Sequence, residues 1–157
     1  MPVSPWWEIT IKLVLAIVLG GVIGFERERR GKPAGLRTHM LVSVASAVFV
    51  LSAQEMALRA GEAVDSVRAM AGIAQGVGFL GAGVILQSHG EVRWLTTAAA
   101  LWAAAAVGLG AGMGMYFIVI LASALVWVIL RWLDIIEHRY VARGRDRPKR
   151  DEEQNSH

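Results

Sequence analysis

The residues best suited to chemistry are gathered in one charged stretch, GFERERRGKPAGLRTHMLV, residues 24–42. Glu26, Glu28 and His39 are donors of the kind that hold a divalent cation. Magnesium, however, keeps several of its waters and takes only one or two carboxylates, so this spacing does not commit the three to an ion, and no metal site is assigned. Glu26 and Arg30 stand four apart, the spacing of an ion pair if a helix continues through them. Lys32-Pro33 and Gly35 would break that helix, and Thr38 is placed to cap the next. The plain alternative is that Arg27, Arg29, Arg30, Lys32 and Arg37 do no more than orient the chain, since cytoplasmic loops collect Lys and Arg.

Little else in the chain suggests catalysis. There is no Cys, which removes thiolate ligands, disulfides and Cys nucleophiles. His39, His89, His138 and His157 show no ligand spacing, and no hydroxyl has a visible base beside it. An enzyme is not expected, nor is a cofactor. The remaining polar candidates are Asp65 and Arg68 ahead of one apolar run, Gln75 inside it, and Thr96 and Thr97 at the head of another.

The elements that must position these residues are apolar. Of 157 residues 55% are hydrophobic, and the mean hydropathy is +0.47. A bilayer core about 30 Å thick needs about 20 mostly apolar helical residues per crossing. Five runs approach that length: 9–25, 38–53 (with 54–58 as an extension), 69–86, 95–110 and 115–133. The predicted fold is an all-α membrane protein, a bundle of five transmembrane helices over residues 1–133. A charged tail, 134–157, has too little apolar surface to fold alone. Trp6 and Trp7 suit the membrane interface, and no positive n-region or cleavage pattern marks a signal peptide. Lys12, one turn into the first run, can direct its amine outward along its own stem. The Gly110–Gly114 break separates the fourth run from the fifth; without it a single helix of nearly 60 Å would result.

Charge gives the direction. The first loop holds five Lys and Arg, the loop at Arg93 one and the segment from Arg131 seven, against Lys12, Arg59 and Arg68 on the other side. The bias places the N-terminus outside and the C-terminus in the cytoplasm. The net charge of +3 therefore reports orientation, and no nucleic-acid partner is expected.

Small residues suggest how the helices meet. Gly20 and Gly24 form a GxxxG spacing. Gly72, Gly76, Phe79 and Gly83 fall on one stripe of the third helix, with Gln75 about 60° away and turned toward protein. Gly81 lies on the opposite face and Gly78 on a third, so this helix is expected at the centre of the bundle, approached from several sides. Apart from Lys12 and Arg131 at their ends, the runs carry no charge. Ion-driven transporters usually place ionisable groups there.

Taken in order, Gly24-Phe25-Glu26-Arg27-Glu28, Ala34-Gly35-Leu36-Arg37-Thr38-His39, the run from Gly76 to Ile85 and Leu95-Thr96-Thr97-Ala98-Ala99 resemble the MgtC/SapB family of bacterial membrane proteins, and the Asp65…Arg68 pair fits as well. The likeness spans about residues 13–130. It implies a multi-pass protein of the bacterial inner membrane, linked to growth under magnesium limitation and, in pathogens, to virulence. It further implies a non-enzymatic regulator that binds a membrane partner such as the ATP synthase; the alternative is a magnesium transporter or channel. A homodimer and binding of the basic tail to anionic lipid stay open beside these. The likeness makes Glu26, Glu28, Arg37, Thr38 and His39 motif positions, beyond mere orientation signals. Two departures stand out. Trp94 occupies a position where many members carry Gly, which bears on the turn before the fourth helix. The folded C-terminal cytoplasmic domain of many members has no counterpart in these residues.

Overall fold

The computed structural model describes residues 5–61, 65–86 and 94–133. Within them the chain forms five helices: α1 (Trp6–Arg29), α2 (Leu36–Ala60), α3 (Ser66–Leu86), α4 (Leu95–Gly112) and α5 (Tyr116–Val128), the last continuing into a π-helical turn, Ile129–Leu133. α1 to α4 are long and apolar enough to cross a membrane, whereas the apolar stretch Tyr116–Trp132 is shorter. The tail from 134, the loop at Arg93 and the histidines at 89, 138 and 157 lie outside the described residues.

The helix ends follow local rules. α1 runs past Phe25 to Arg29 with Arg30 as its C-cap residue, which brings Arg30 one turn on from Glu26 as their spacing requires. It stops at Gly31, whose φ of +62° is open to glycine at little cost. There Gly31 N–H donates to Glu28 C=O (2.9 Å) and Lys32 N–H to Arg27 C=O (3.1 Å), the paired bonds of a Schellman ending. α2 extends through 54–58 to Ala60 and ends on Gly61 in the same left-handed region. Between α4 and α5 the chain turns at Gly114, φ +77°, close to the expected break.

The expectation that α3 is central is overturned. α4 is the central helix: it touches α1, α2, α3 and α5, while α3, among the described residues, touches only α2 and α4. The reason is side-chain size. Ala100, Ala104, Gly108 and Gly112 recur every fourth residue on α4 and are all buried. A Cβ on Gly108 would collide with the Ser43 backbone of α2, and one on Gly112 would lie 2.9 Å from Ala47 O. In lipid, where apolar burial does not drive helices together, such close approach is what holds them. α1 contributes the same device. A Cβ on Gly20 would sit 2.6 Å from Ser43 Cβ, and one on Gly24 2.8 Å from Leu36 Cα, so both glycines of that spacing pack as expected. Ser43 Oγ then donates to Ala16 O of α1 at 2.7 Å. Ala16, Ile23, Ala47, Ala104 and Ala111 fill the core between these contacts.

The packing expected of Gly72, Gly76, Phe79 and Gly83 does not occur among the described residues. Added Cβ atoms at the three glycines would meet nothing within 4 Å, and Phe79 is 81% exposed. α3 instead turns Val77 and Gly81 inward, Gly81 against Ala98 of α4. Gln75 is exposed as well, on the same outward side as Phe79.

Gly108→Ala is expected to cost about 1–3 kcal/mol or more by overpacking, whereas Gly76→Ala, with open space around it, should be neutral or slightly stabilising. Thermal unfolding of the two variants in detergent checks the contrast.

Candidate functional site

The charged stretch folds into a polar cluster at one end of the bundle, where the C-terminus of α1, the N-termini of α2 and α4 and the π-helical turn converge. Glu26, 2% exposed, accepts a hydrogen bond from Arg30 Nε at 2.7 Å. It also faces Arg131 Nη1 at 3.6 Å. Arg30 Nη2 donates in turn to Arg131 C=O at 3.1 Å. One buried carboxylate thus ties the end of α5 to the end of α1, with the Arg131 guanidinium resting over the Trp127 ring. In the sequence Arg131 marks only the start of the basic segment; nothing in its spacing points to Glu26, 105 positions earlier.

Arg27 points the other way, inward. It is 4% exposed and donates through Nη2 to the fully buried Thr97 Oγ1 of α4. Among the described residues that hydroxyl is its one side-chain partner, and its Nε–H has none. A buried guanidinium without a carboxylate is costly, so this contact fixes where the start of α4 must lie. His39, 0% exposed, lies within electrostatic reach of Arg27. Its Nδ1 is 2.8 Å from Gly35 O; a carbonyl can only accept, so Nδ1 carries a proton, and in the neutral ring Nε2 is the acceptor. That Nε2 is buried and unpartnered among the described residues.

Glu28 does a third job. Its Oε2 accepts from Leu36 N–H at 2.7 Å, satisfying the first amide of α2. The carboxylate passes so near Gly35 that a Cβ there would lie 2.7 Å from it. This corrects the assignment of Thr38 as the cap: Gly35 is the N-cap residue and makes no side-chain cap bond. Thr38 and Arg37 are exposed, and neither forms a side-chain hydrogen bond or ion pair among the described residues. Glu26, Glu28 and His39 therefore serve three separate partners, and no group of three or more acidic or His side chains among the described residues is placed to hold a metal.

The turn into α4 shows what the Trp94 departure entails. Trp94 has φ +67° and ψ +17°, the left-handed conformation, and is the N-cap residue of α4. Gly takes this conformation readily and a residue with a Cβ does so at roughly 1–2 kcal/mol. Lys32 Nζ sits 5.6 Å from the centre of the Trp94 ring, a cation–π distance worth about 0.5–1 kcal/mol when exposed. The ring returns part of what the backbone costs. Of the next residues, Thr96 is exposed and Thr97 buried.

At the opposite end Lys12 is 5% exposed, more deeply set than its expected outward reach. It pairs with Glu8 at 2.7 Å and lies beside Gly114 in the α4–α5 turn. Asp65 caps α3, accepting from Arg68 N–H at 2.9 Å through Oδ1 and from Arg68 Nε at 3.1 Å through Oδ2. The backbone N–H above all, then the guanidinium, holds the Asp65 carboxyl below its ordinary range.

An apolar helical bundle with its charges gathered at the ends defines a multi-pass membrane protein. The MgtC family matches residues 13–139, and the chain belongs to that family. It is 40% identical over 127 residues to “Putative magnesium transporter YhiD” of Escherichia coli (strain K12), covering 78% of this chain and 59% of that protein. It is 41% identical over 137 residues to Protein MgtC of Brucella abortus (strain 2308), covering 85% and 56%. Protein SrpB of Synechococcus elongatus is 40% identical over 126 residues, covering 74% and 69%. The chain thus spans little more than half the length of the first two. No solved structure matches it.

Two outcomes test these local accounts. Trp94→Ala, which keeps the left-handed φ and loses the ring, should be less stable than Trp94→Gly by about 1 kcal/mol, as read from paired melting curves. The Asp65 cap is fully formed above the ordinary carboxylate value of 3.8 and is lost as pH falls below that through the lowered value. Amide exchange at Arg68 and Ala69 should accelerate relative to the α3 interior in that window, and Asp65→Asn should remove the pH dependence.

Proposed function

We propose that this protein is a non-enzymatic regulator of the bacterial inner membrane, with its N-terminus outside and its C-terminus in the cytoplasm, that acts by binding another membrane protein. The observation that carries this reading is the outer face of α3. Ala71, Gln75, Gly78, Phe79, Ala82 and Gly83 are all exposed there. Small residues, one amide and one protruding ring form a surface onto which a second transmembrane helix can pack closely, with Gln75 available for an interhelical hydrogen bond. The charge bias of the loops supports the orientation. The family resemblance supports the ATP synthase as partner, and adaptation to magnesium limitation, with virulence in pathogens, as the setting.

The name of the Escherichia coli relative favours a second reading, an ion path for magnesium. Within one chain such a path has little to work with. The charged groups of the helices lie at their ends, and Gln75 faces outward, so a route past it would run between this chain and a second body.

Photo-crosslinkers placed at Phe79 and at Leu121 of α5 in native membranes separate the readings. Phe79 should give a discrete adduct with another membrane protein, ATP-synthase subunits foremost, and Leu121 should not. Self-adducts alone, together with magnesium flux from purified protein in liposomes that Gln75→Leu diminishes, would replace the regulator with the transporter.

A further inference from the structure

A groove of about 740 Å³ runs between α2 and α3. Leu41, Ala45 and Phe49 form one wall, Gly72, Gly76 and Leu80 the other, and Arg68 stands at one mouth. From Arg68 to Leu80 it follows α3 for about 18 Å. We infer that this groove is a binding site for one acyl chain of a membrane phospholipid, with the lipid phosphate held at Arg68.

Four observations carry the assignment, and none depends on the partner proposed for the outer face of α3. The first is polarity. Ser46 and Arg68 are the polar lining residues, and the Ser46 hydroxyl already donates to Val42 O of its own helix at 2.9 Å. Nothing along the groove asks for a hydrogen bond, so the occupant is apolar throughout its length. The second is the mouth. Arg68 is in the first turn of α3, where an apolar helix emerges from hydrocarbon into the headgroup layer. Its Nε serves Asp65, and its Nη groups bond to no other described residue. A guanidinium with its terminal donors available suits a phosphate, while the Asp65 carboxylate beside it suits the ammonium of an ethanolamine headgroup. The third is size. A helix about 10 Å across and 18 Å long would occupy roughly twice this volume, whereas clefts of about 300–1,000 Å³ hold single small molecules. The fourth is the wall itself. Gly72 and Gly76 have nothing within 4 Å of an added Cβ, so the groove exists because these side chains are missing.

The test uses the full chain, reconstituted in nanodiscs of phosphatidylethanolamine and phosphatidylglycerol, extracted in mild detergent and weighed by native mass spectrometry. One phospholipid should stay with each chain. Gly76→Leu and, independently, Gly72→Leu should abolish retention with an unchanged melting temperature, because each fills the groove without touching the bundle. Arg68→Ala should weaken retention about tenfold, and Leu121→Ala, exposed on α5, should not change it. Retention unaffected by both leucine variants would overturn the inference. So would the loss of a dimer, with lipid unchanged, in those variants, which would make the occupant a second copy.

Discussion

Three helix backbones meet at Ser43. Its hydroxyl donates to Ala16 O of α1, its Cβ fills the space that Gly20 leaves, and its carbonyl lies under Gly108 of α4. A side chain on either glycine would push the helices apart, and the bonds that reach between them would go with that separation. In a bilayer no water is displaced when helices join, so contact distance carries the association that apolar burial carries in water. The run of small residues from Ala100 to Gly112 extends the same contact along α4 and makes it the axis of the fold.

That close packing lets charge be buried at one end. Glu26, Arg27 and His39 are almost wholly covered because α2, α4 and the end of α5 all arrive there. Each buried polar group then constrains a different element: Glu26 the π-helical turn, Arg27 the start of α4, and Glu28, at the rim, the start of α2. The cluster is a joint between helix ends. Its cost is visible in Arg27 Nε and His39 Nε2, unpartnered among the described residues, and in the left-handed Trp94.

α3 stands apart from this joint. It meets α2 and α4 along one side, and apart from Gly81 its glycines have no neighbour among the described residues, so the same residue type that pulls α4 into the centre leaves α3 at the edge. What distinguishes the two cases is the opposing surface. Gly108 faces a backbone carbonyl, and Gly76 faces open space. The edge helix is consequently where this protein has surface to offer to lipid and to other proteins.

Much of this was legible in the residues themselves. Hydropathy marked five helices, because the apolar requirement of a bilayer is local and one-dimensional. The Glu26–Arg30 pair and the GxxxG of α1 follow from spacing along a single helix, and the family motifs from their order along the chain. Which helix is central, which glycines are packed and which end groups touch could not be read this way. Gly76 and Gly108 are alike in sequence and differ only in what another helix brings against them. Arg131 finds Glu26, and Thr97 finds Arg27, across separations that no periodicity encodes. The charged stretch announced by itself that the residues mattered together. Only tertiary packing decided that Glu26, Glu28 and His39 serve three partners, that Arg37 and Thr38 stay outside, and that Arg27 is buried without a carboxylate beside it.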